Sequence, residues 1–349
     1  MDYKIKNINR LNKIYNKKNR KFNIHISILP LIYLTNCGGS GTNTAESNQK
    51  DIVVASGGIA FVSPQISYGV QNSGQAVNPY WISALIEKPL EENGYLDVVS
   101  NTGGGYKYSF PVVQPSYLVS GPNINSWTPV NDKVKNTYRD IFSNLSKYVN
   151  ISFQETDDVE DISVIAIMSN VQPATTGYAY EPIGVLSYEA DYIFSDIFIS
   201  SDFQNPTFLA DGKTNFNYEL LIHELGHAIG LRHPFKNFTG DGSYLNSSEE
   251  YSKWTAMSYT QDIEYYDGQY RLLDLAAIVS MYGINPNYKS DNDTYYFSSI
   301  NGQIIIDGGG IDEINASNQI SHAYIDLREH AHSYVGPKND MITAPFQIS

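Results

Sequence analysis

The segment "HELGHAIGLRH", from His223 to His233, holds three of the 7 histidines in this 349-residue chain. On an α-helix, positions four apart lie on one face, so His223 and His227 can aim their imidazoles at a single metal ion. Glu224 sits one position round the helix, close to that metal but off the line of its two ligands. A carboxylate in that position can take a proton from a water at the metal. Gly230 lets the chain leave the helix in a conformation that a side chain would disfavour, and the turn can bring His233 back as a third ligand. Three neutral nitrogens leave a fourth position open, which distinguishes a catalytic zinc from a structural one. The competing reading is a buried helix that happens to carry histidines. It leaves the joint spacing of the glutamate, the glycine and the third histidine unexplained.

Several elements must position these residues. "NYELLIHELGHAIG" is apolar at Leu220, Leu221, Leu225, Ala228 and Ile229, which predicts a packed helix with Asn215 or Asn217 near its start. "NDKVKNTYRDIFSNLSKYV" repeats apolar residues at helical intervals (Val134, Tyr138, Ile141, Phe142, Leu145, Val149), and Asn131 is its cap. "YKYSFPVV", "NISFQET", "DISVIAIM" and "SDIFISSD" read as strands. Strand–helix–strand order predicts an α/β (α+β) domain with a twisted mixed sheet. After about Pro286, short strand-like pieces ("DTYYFSSI", "QIIIDG", "SHAYIDLRE") alternate with Gly, Asn and Asp turns, predicting a β-rich C-terminal segment.

HExxHxxGxxH is the zinc signature of the metzincin metalloproteases, and from about Asn78 onward the chain resembles their serralysin-like branch. "TAMSY" resembles that branch's Met-turn. The resemblance implies that Met257 lies beneath the zinc ligands, and that Tyr259 ligates the metal or stabilises the oxyanion. It further implies an extended substrate on an edge strand above the zinc, and "GYAYEP", residues 177–182, is the segment suited to that edge. "LLDLAAIVSMYGIN" is similar to the helix after the Met-turn. "IIIDGGGIDEINASNQISHAYIDLREHAHSYVG" is similar to the start of the serralysin C-terminal β-domain. Ile311 departs from the Asn often found there, and the Gly/Asp-rich calcium repeats and C-terminal export signal of serralysins do not follow. Asp307 and Asp312 are candidate calcium ligands, with ordinary Gly/Asp turn chemistry as the alternative.

Lys and Arg number 23 against 37 Asp and Glu, a formal charge of −14, and the single cysteine is Cys37. One cysteine excludes an intrachain disulfide and a cysteine metal cluster. The first 36 residues carry eight basic side chains against one acid, Asp2, and lead into the short apolar run "IHISILPLIYLTNC", which closes at Cys37. That pattern predicts an export signal rather than a transmembrane helix, since the run is short and Pro30 interrupts it. "LTNC" followed by "GGSGTNT" resembles a bacterial lipoprotein signal, which implies lipidation of Cys37; an ordinary cleaved signal is the alternative. Without the signal the chain is more acidic still, which argues against a nucleic-acid partner. His322, His330 and His332 lack ligand spacing and read as surface or structural. "ETDDVED" and "SSEE" read as solvated acidic loops.

The expected organisation is an export signal over 1–36, a tether or propeptide-like lead-in over 37–77, a metzincin-like zinc domain over 78–285, and a short β-rich segment over 286–349. The expected function is zinc-dependent cleavage of internal peptide bonds in extracellular proteins, with Glu224 and Tyr259 as catalytic residues. The expected setting is a monomer, exported and anchored at the bacterial cell surface by its N-terminal lipid, or else secreted. The rival is a binding protein or adhesin that keeps the fold without turnover. It predicts a lost base or ligand, whereas Glu224 and all three histidines are present.

Overall fold

The computed structural model describes residues 79–87, 105–118, 126–160, 164–180, 193–235, 243–247, 249–260, 267–296 and 303–327, with strand segments at 24–27, 183–184, 331–335 and 341–344. Cys37, His330, the whole 37–77 lead-in and most of the expected export signal lie outside the described residues. No helix among the described residues is long and apolar enough to cross a membrane.

In chain order the elements that build the site are β1 (Ile24–Ser27), α1 (Tyr80–Ser83), β2 (Gly105–Ser109), β3 (Thr128–Pro129), α2 (Asp132–Tyr148), β4 (Ser152–Glu155), β5 (Ile165–Asn170), β6 (Gly177–Tyr180), β7 (Ile183–Gly184), β8 (Ile193–Phe194), β9 (Ile197–Ser200), α3 (Phe216–Ala228) and α4 (Leu272–Tyr282). One sheet runs in the order β1-β6-β9-β5-β2-β4, with β3 also paired to β5. β4, β2, β5 and β9 are parallel, while β6 is antiparallel on β9 and β1 antiparallel on β6. The fold is therefore mixed α/β with a mostly parallel sheet.

All six residues of β5 are buried, the pattern of a parallel strand covered on both faces. On one face α2 presents Val134, Tyr138, Ile141, Phe142 and Leu145, the stripe its sequence spacing predicts. Phe142 packs 4.3 Å from Tyr108 and 4.4 Å from Phe153, ring centre to ring centre. On the other face Leu118, Trp127 and Tyr180 pack around Met168, Tyr178 and Phe198. Asn131 caps α2 by accepting the amide of Val134 at 3.0 Å. Asn215 caps α3 by accepting that of Tyr218 at 3.1 Å. Every residue of α3 from Tyr218 to Ala228 is buried, so the helix is enclosed by protein on all sides.

Two local differences from expectation have simple causes. "YKYSFPVV" stops pairing at Ser109, because Pro111 has no amide to donate, and Val112 and Val113 beyond it are each 70% exposed. Ile24–Ser27, expected only as part of a signal, pairs with β6 from Ile24 opposite Tyr180 to Ser27 opposite Gly177.

Beyond α4 lie β10 (Thr294–Tyr296), β11 (Gln303–Ile304), β12 (Glu313–Asn315), β13 (Ala323–Tyr324), β14 (Ala331–Val335) and β15 (Met341–Ala344). β10 pairs with β12, and β11-β15-β14-β13 form a second small sheet. Three of these strands fall inside the runs that alternate with turn residues; β12, β14 and β15 have no clear period of their own. A small cluster of Tyr295, Ile305, Ile314 and Ala316 packs here, while Ile306 joins the main core.

Candidate metal centre

His223 and His227 lie on the inner face of α3, at 2% and 0% exposure. Nδ1 of His223 stands 2.8 Å from the carbonyl of Ala256, and Nδ1 of His227 stands 2.9 Å from that of Leu231. A carbonyl only accepts, so each Nδ1 carries the hydrogen and each Nε2 keeps its lone pair. Burial pushes the His223 imidazole down to about 4, which keeps it in the neutral, ligating form. Helix α3 ends at Ala228 with Ile229 as its C-cap, and Gly230 turns the chain with φ of 105°. That value is in the left-handed region glycine tolerates, as the sequence implied.

The chain leaving α3 is held by a neighbour that sequence spacing does not reveal. Ile86 and Leu231 form an antiparallel bridge, and the amide of Arg232 donates to Leu85 at 2.8 Å. The Arg232 side chain, 5% exposed, donates to the carbonyls of Ser83, Ala84 and Ser243. Those bonds fix the peptide next to His233. Its Nε2 stands 3.1 Å from Nε2 of His223 and 3.1 Å from Nε2 of His227. With the hydrogen of His233 on its Nδ1 as well, three lone pairs would face one another, and a cation joining them would remove their repulsion. Ligands about 2.0–2.1 Å from a tetrahedral zinc would lie about 3.3 Å apart, close to the separation found here. The donor set therefore fits zinc: three imidazoles whose Nε2 atoms converge, two of the rings buried.

Glu224 is fully buried and lies against β6, where a β-carbon on Gly177 would stand 2.8 Å from its Oε1. Met257 is also fully buried, directly under the helix: a β-carbon on Gly226 would stand 2.5 Å from its Sδ. The Tyr259 ring lies 5.8 Å from His223 and 4.6 Å from His233. Phe235 stacks on His233 at 4.9 Å and 12°, and stands 4.9 Å from Tyr259. His223, His227, His233 and Tyr259 are thus gathered together, while Glu224 packs against Gly177 of β6 and Met257 against Gly226 of α3.

Asp307 and Asp312 also come together, joined by Asp293, which the sequence reading missed; one carboxylate oxygen of each lies within 4.8 Å of the others. The same carboxylates serve the turn. Asp307 accepts the amide of Gly309 at 2.8 Å and the hydroxyl of Tyr295, and Asp312 accepts the amide of Asp293 at 2.8 Å. His322 is exposed. The acidic pair of "SSEE" is not a solvated loop. Glu249 is 2% exposed and accepts the Tyr80 hydroxyl at 2.6 Å, while Glu250 accepts the hydroxyls of Ser258 and Thr260. In "ETDDVED", Glu155 is half-exposed and paired with Arg139 at 2.7 Å.

A mixed α/β fold that brings three histidines within reach of one another next to a buried glutamate in the chain is an arrangement that could hold a metal ion. Among known proteins, no family profile matches the chain. Metallopeptidase AprA of Pseudomonas marginalis is 24% identical over 310 residues, which cover 80% of this chain and 62% of that protein. Serralysin of Proteus mirabilis is 27% identical over 265 residues, 66% of this chain and 53% of its own. Metalloprotease AprA of Pseudomonas entomophila is 24% identical over 329 residues, 82% of this chain and 66% of its own. The chain is a distant homologue of serralysin-type metalloproteases and spans between about half and two-thirds of the length of these three relatives.

Proposed function

We propose that this protein is a zinc-dependent endopeptidase of metzincin type, with His223, His227 and His233 as the zinc ligands. The observation that carries this reading is the convergence of three Nε2 lone pairs beside the buried carboxylate of Glu224. Bound zinc would supply Lewis acidity toward water and toward the scissile carbonyl. Glu224 takes the proton from the attacking water and passes it to the leaving amine. Tyr259, beside His223 and His233, hydrogen-bonds the oxygen on which charge develops. Met257 packs under the ligands and sets the floor of the centre.

The substrate lies extended along β6, whose residue Gly177 faces Glu224. Antiparallel pairing to that edge supplies backbone hydrogen bonds, as β1 supplies them here. Cleavage of an N-terminal signal before Cys37 would remove β1 and open the edge. In this reading the protein is exported, Cys37 carries the lipid that tethers it to the bacterial surface, and proteins outside the cell are its substrates. Calcium binding by Asp293, Asp307 and Asp312 belongs to the same proposal, as a brace between β10 and the turn after β11.

The test is zinc content per chain and cleavage of casein by the purified protein, with and without chelator, beside Glu224→Ala. Near-stoichiometric zinc, with cleavage lost in the variant and in chelator, is the expected result. A folded protein that takes up no zinc would refute the role given to the three histidines.

A further inference from the structure

Residues Thr255 to Thr260 bring Met257 and Tyr259 to the centre, and two carboxylates outside the reaction grip that turn from either end. Asp274, fully buried in the first turn of α4, accepts the Thr255 hydroxyl at 2.6 Å, the Ala256 amide at 2.7 Å and the Arg271 amide at 2.9 Å. The Ala256 carbonyl is the group that accepts from Nδ1 of His223. Glu250 accepts the Ser258 hydroxyl at 2.5 Å and the Thr260 hydroxyl at 2.8 Å, so it holds the residues on both sides of Tyr259. Arg271 reaches back to Glu219 in the first turn of α3, at 2.6 Å. The contacts therefore start and finish on the helix that carries His223.

Helix capping alone does not account for Asp274. Only one of its three donors, the Arg271 amide, belongs to the start of α4. The other two come from the turn. Burying a carboxylate is costly unless its hydrogen bonds are made, and here they are made to the peptide that orients a ligand. We propose that Asp274 and Glu250 are positioning residues with separate duties. Asp274 fixes the Ala256 peptide and through it the ring of His223, whereas Glu250 fixes the hydroxyls that flank Tyr259. The proposal rests on the zinc-peptidase reading and extends it to two residues that touch neither substrate nor metal.

The duties separate in measurement. Outer-shell partners of a metal-bound histidine typically set metal affinity by about 10–100-fold. Asp274→Asn, which exchanges an acceptor for a donor, is expected to weaken zinc binding within that range. Thr255→Val, which removes one donor and keeps the shape, is expected to weaken it in the same direction by less. Glu250→Gln is expected to leave zinc affinity within about twofold while lowering kcat by about tenfold or more at unchanged KM, because only the oxyanion partner is displaced. Ser258→Ala with Thr260→Val should reproduce that effect. The experiment is zinc titration of the full chain against a chromophoric chelator, with peptide kinetics and a thermal melt for each variant. If the parent binds zinc and cleaves, and the variants lose melting temperature with zinc affinity and kcat intact, both residues are structural and the inference is overturned. A folded parent that fails to bind zinc overturns the peptidase reading and this inference together.

Discussion

A β-carbon on Gly177 of β6 would stand 2.8 Å from Oε1 of Glu224 on α3, and 3.1 Å from its Cγ and Cδ. β6 and the buried carboxylate therefore meet at the one residue of that strand without a side chain. Glu224 is fully buried and has little room to give way. A methyl group at 177 displaces the carboxylate rather than unfolding the sheet.

On the proposed role of Glu224 as the base of a zinc peptidase, Gly177→Ala is expected to retain bound zinc and to lose between about tenfold and a hundredfold in kcat, the cost of moving a catalytic group by a fraction of an ångström to an ångström. Peptide kinetics with a parallel zinc assay measure this. Unchanged kcat would mean that Glu224 does not act from the position it holds in this structure.

Gly226 sets a second close approach, to Sδ of Met257 at 2.5 Å from a β-carbon placed there. Here the neighbour is itself packed, so the added methyl must push the turn off the helix. Gly226→Ala is expected to cost about 1–3 kcal/mol of stability, the range for overpacked cores. Combining it with Met257→Ala should return part of that loss, because the two changes share one space. Urea unfolding of the four members of the cycle reads the coupling; strict additivity would contradict the packing.

The centre was legible because its information is local. Ligand spacing, an intervening glutamate and a glycine at the helix exit lie within eleven residues, and short-range helix geometry converts them into position. The cap at Asn131 and the stripe on α2 were legible for the same reason. Arg232, Glu250 and Asp274 were not. Each is an ordinary charged residue in sequence, and its role exists only because distant segments come beside it: Ser83 and Ser243 for Arg232, the 255–260 turn for the other two. Composition alone assigns "SSEE" to solvent, since acidic residues are rarely buried unless paired. The exception needed the Tyr80 hydroxyl, far off in the chain. β12, β14 and β15 escaped because strands of three to five residues show too few periods to read.

Arg271 and Glu219 form an ion pair at 2.6 Å with side chains only 5% and 9% exposed. Glu219 also accepts the Gly268 amide at 3.1 Å and the Thr214 hydroxyl, so its oxygens are well supplied. Removing the arginine alone leaves a buried carboxylate without its cation. Arg271→Met is expected to cost about 3–5 kcal/mol, and the pair of changes Arg271→Met with Glu219→Leu to cost much less. Chemical denaturation of the single and double variants decides this; equal losses would show that the charge is not what matters.

Asp196 offers a pH test at a group outside the candidate metal centre. It is fully buried between β8 and β9 and accepts the Ala166 amide at 2.9 Å and the Tyr117 hydroxyl at 2.9 Å. Burial raises its carboxyl from 3.8 to about 7, against the opposing pull of those two donors. A group whose folded value lies above its unfolded value contributes stability below the unfolded value and loses it as pH rises through the folded one. For Asp196 that window runs from 3.8 to about 7, with stability falling toward neutrality. The slope from one such proton is at most about 1.4 kcal/mol per pH unit. Asp274, held up to about 6 by burial, acts in the same direction, so the informative quantity is the difference between parent and Asp196→Asn. The amide keeps an acceptor for Ala166 and offers a donor to the Tyr117 oxygen, and it does not titrate. Parent stability minus variant stability should therefore decline between pH 4 and pH 7 and level off above about 7. Denaturant melts at each pH give that difference. A difference that is flat, or that grows with pH, would show that the Asp196 carboxylate is ionised at little cost inside the folded protein.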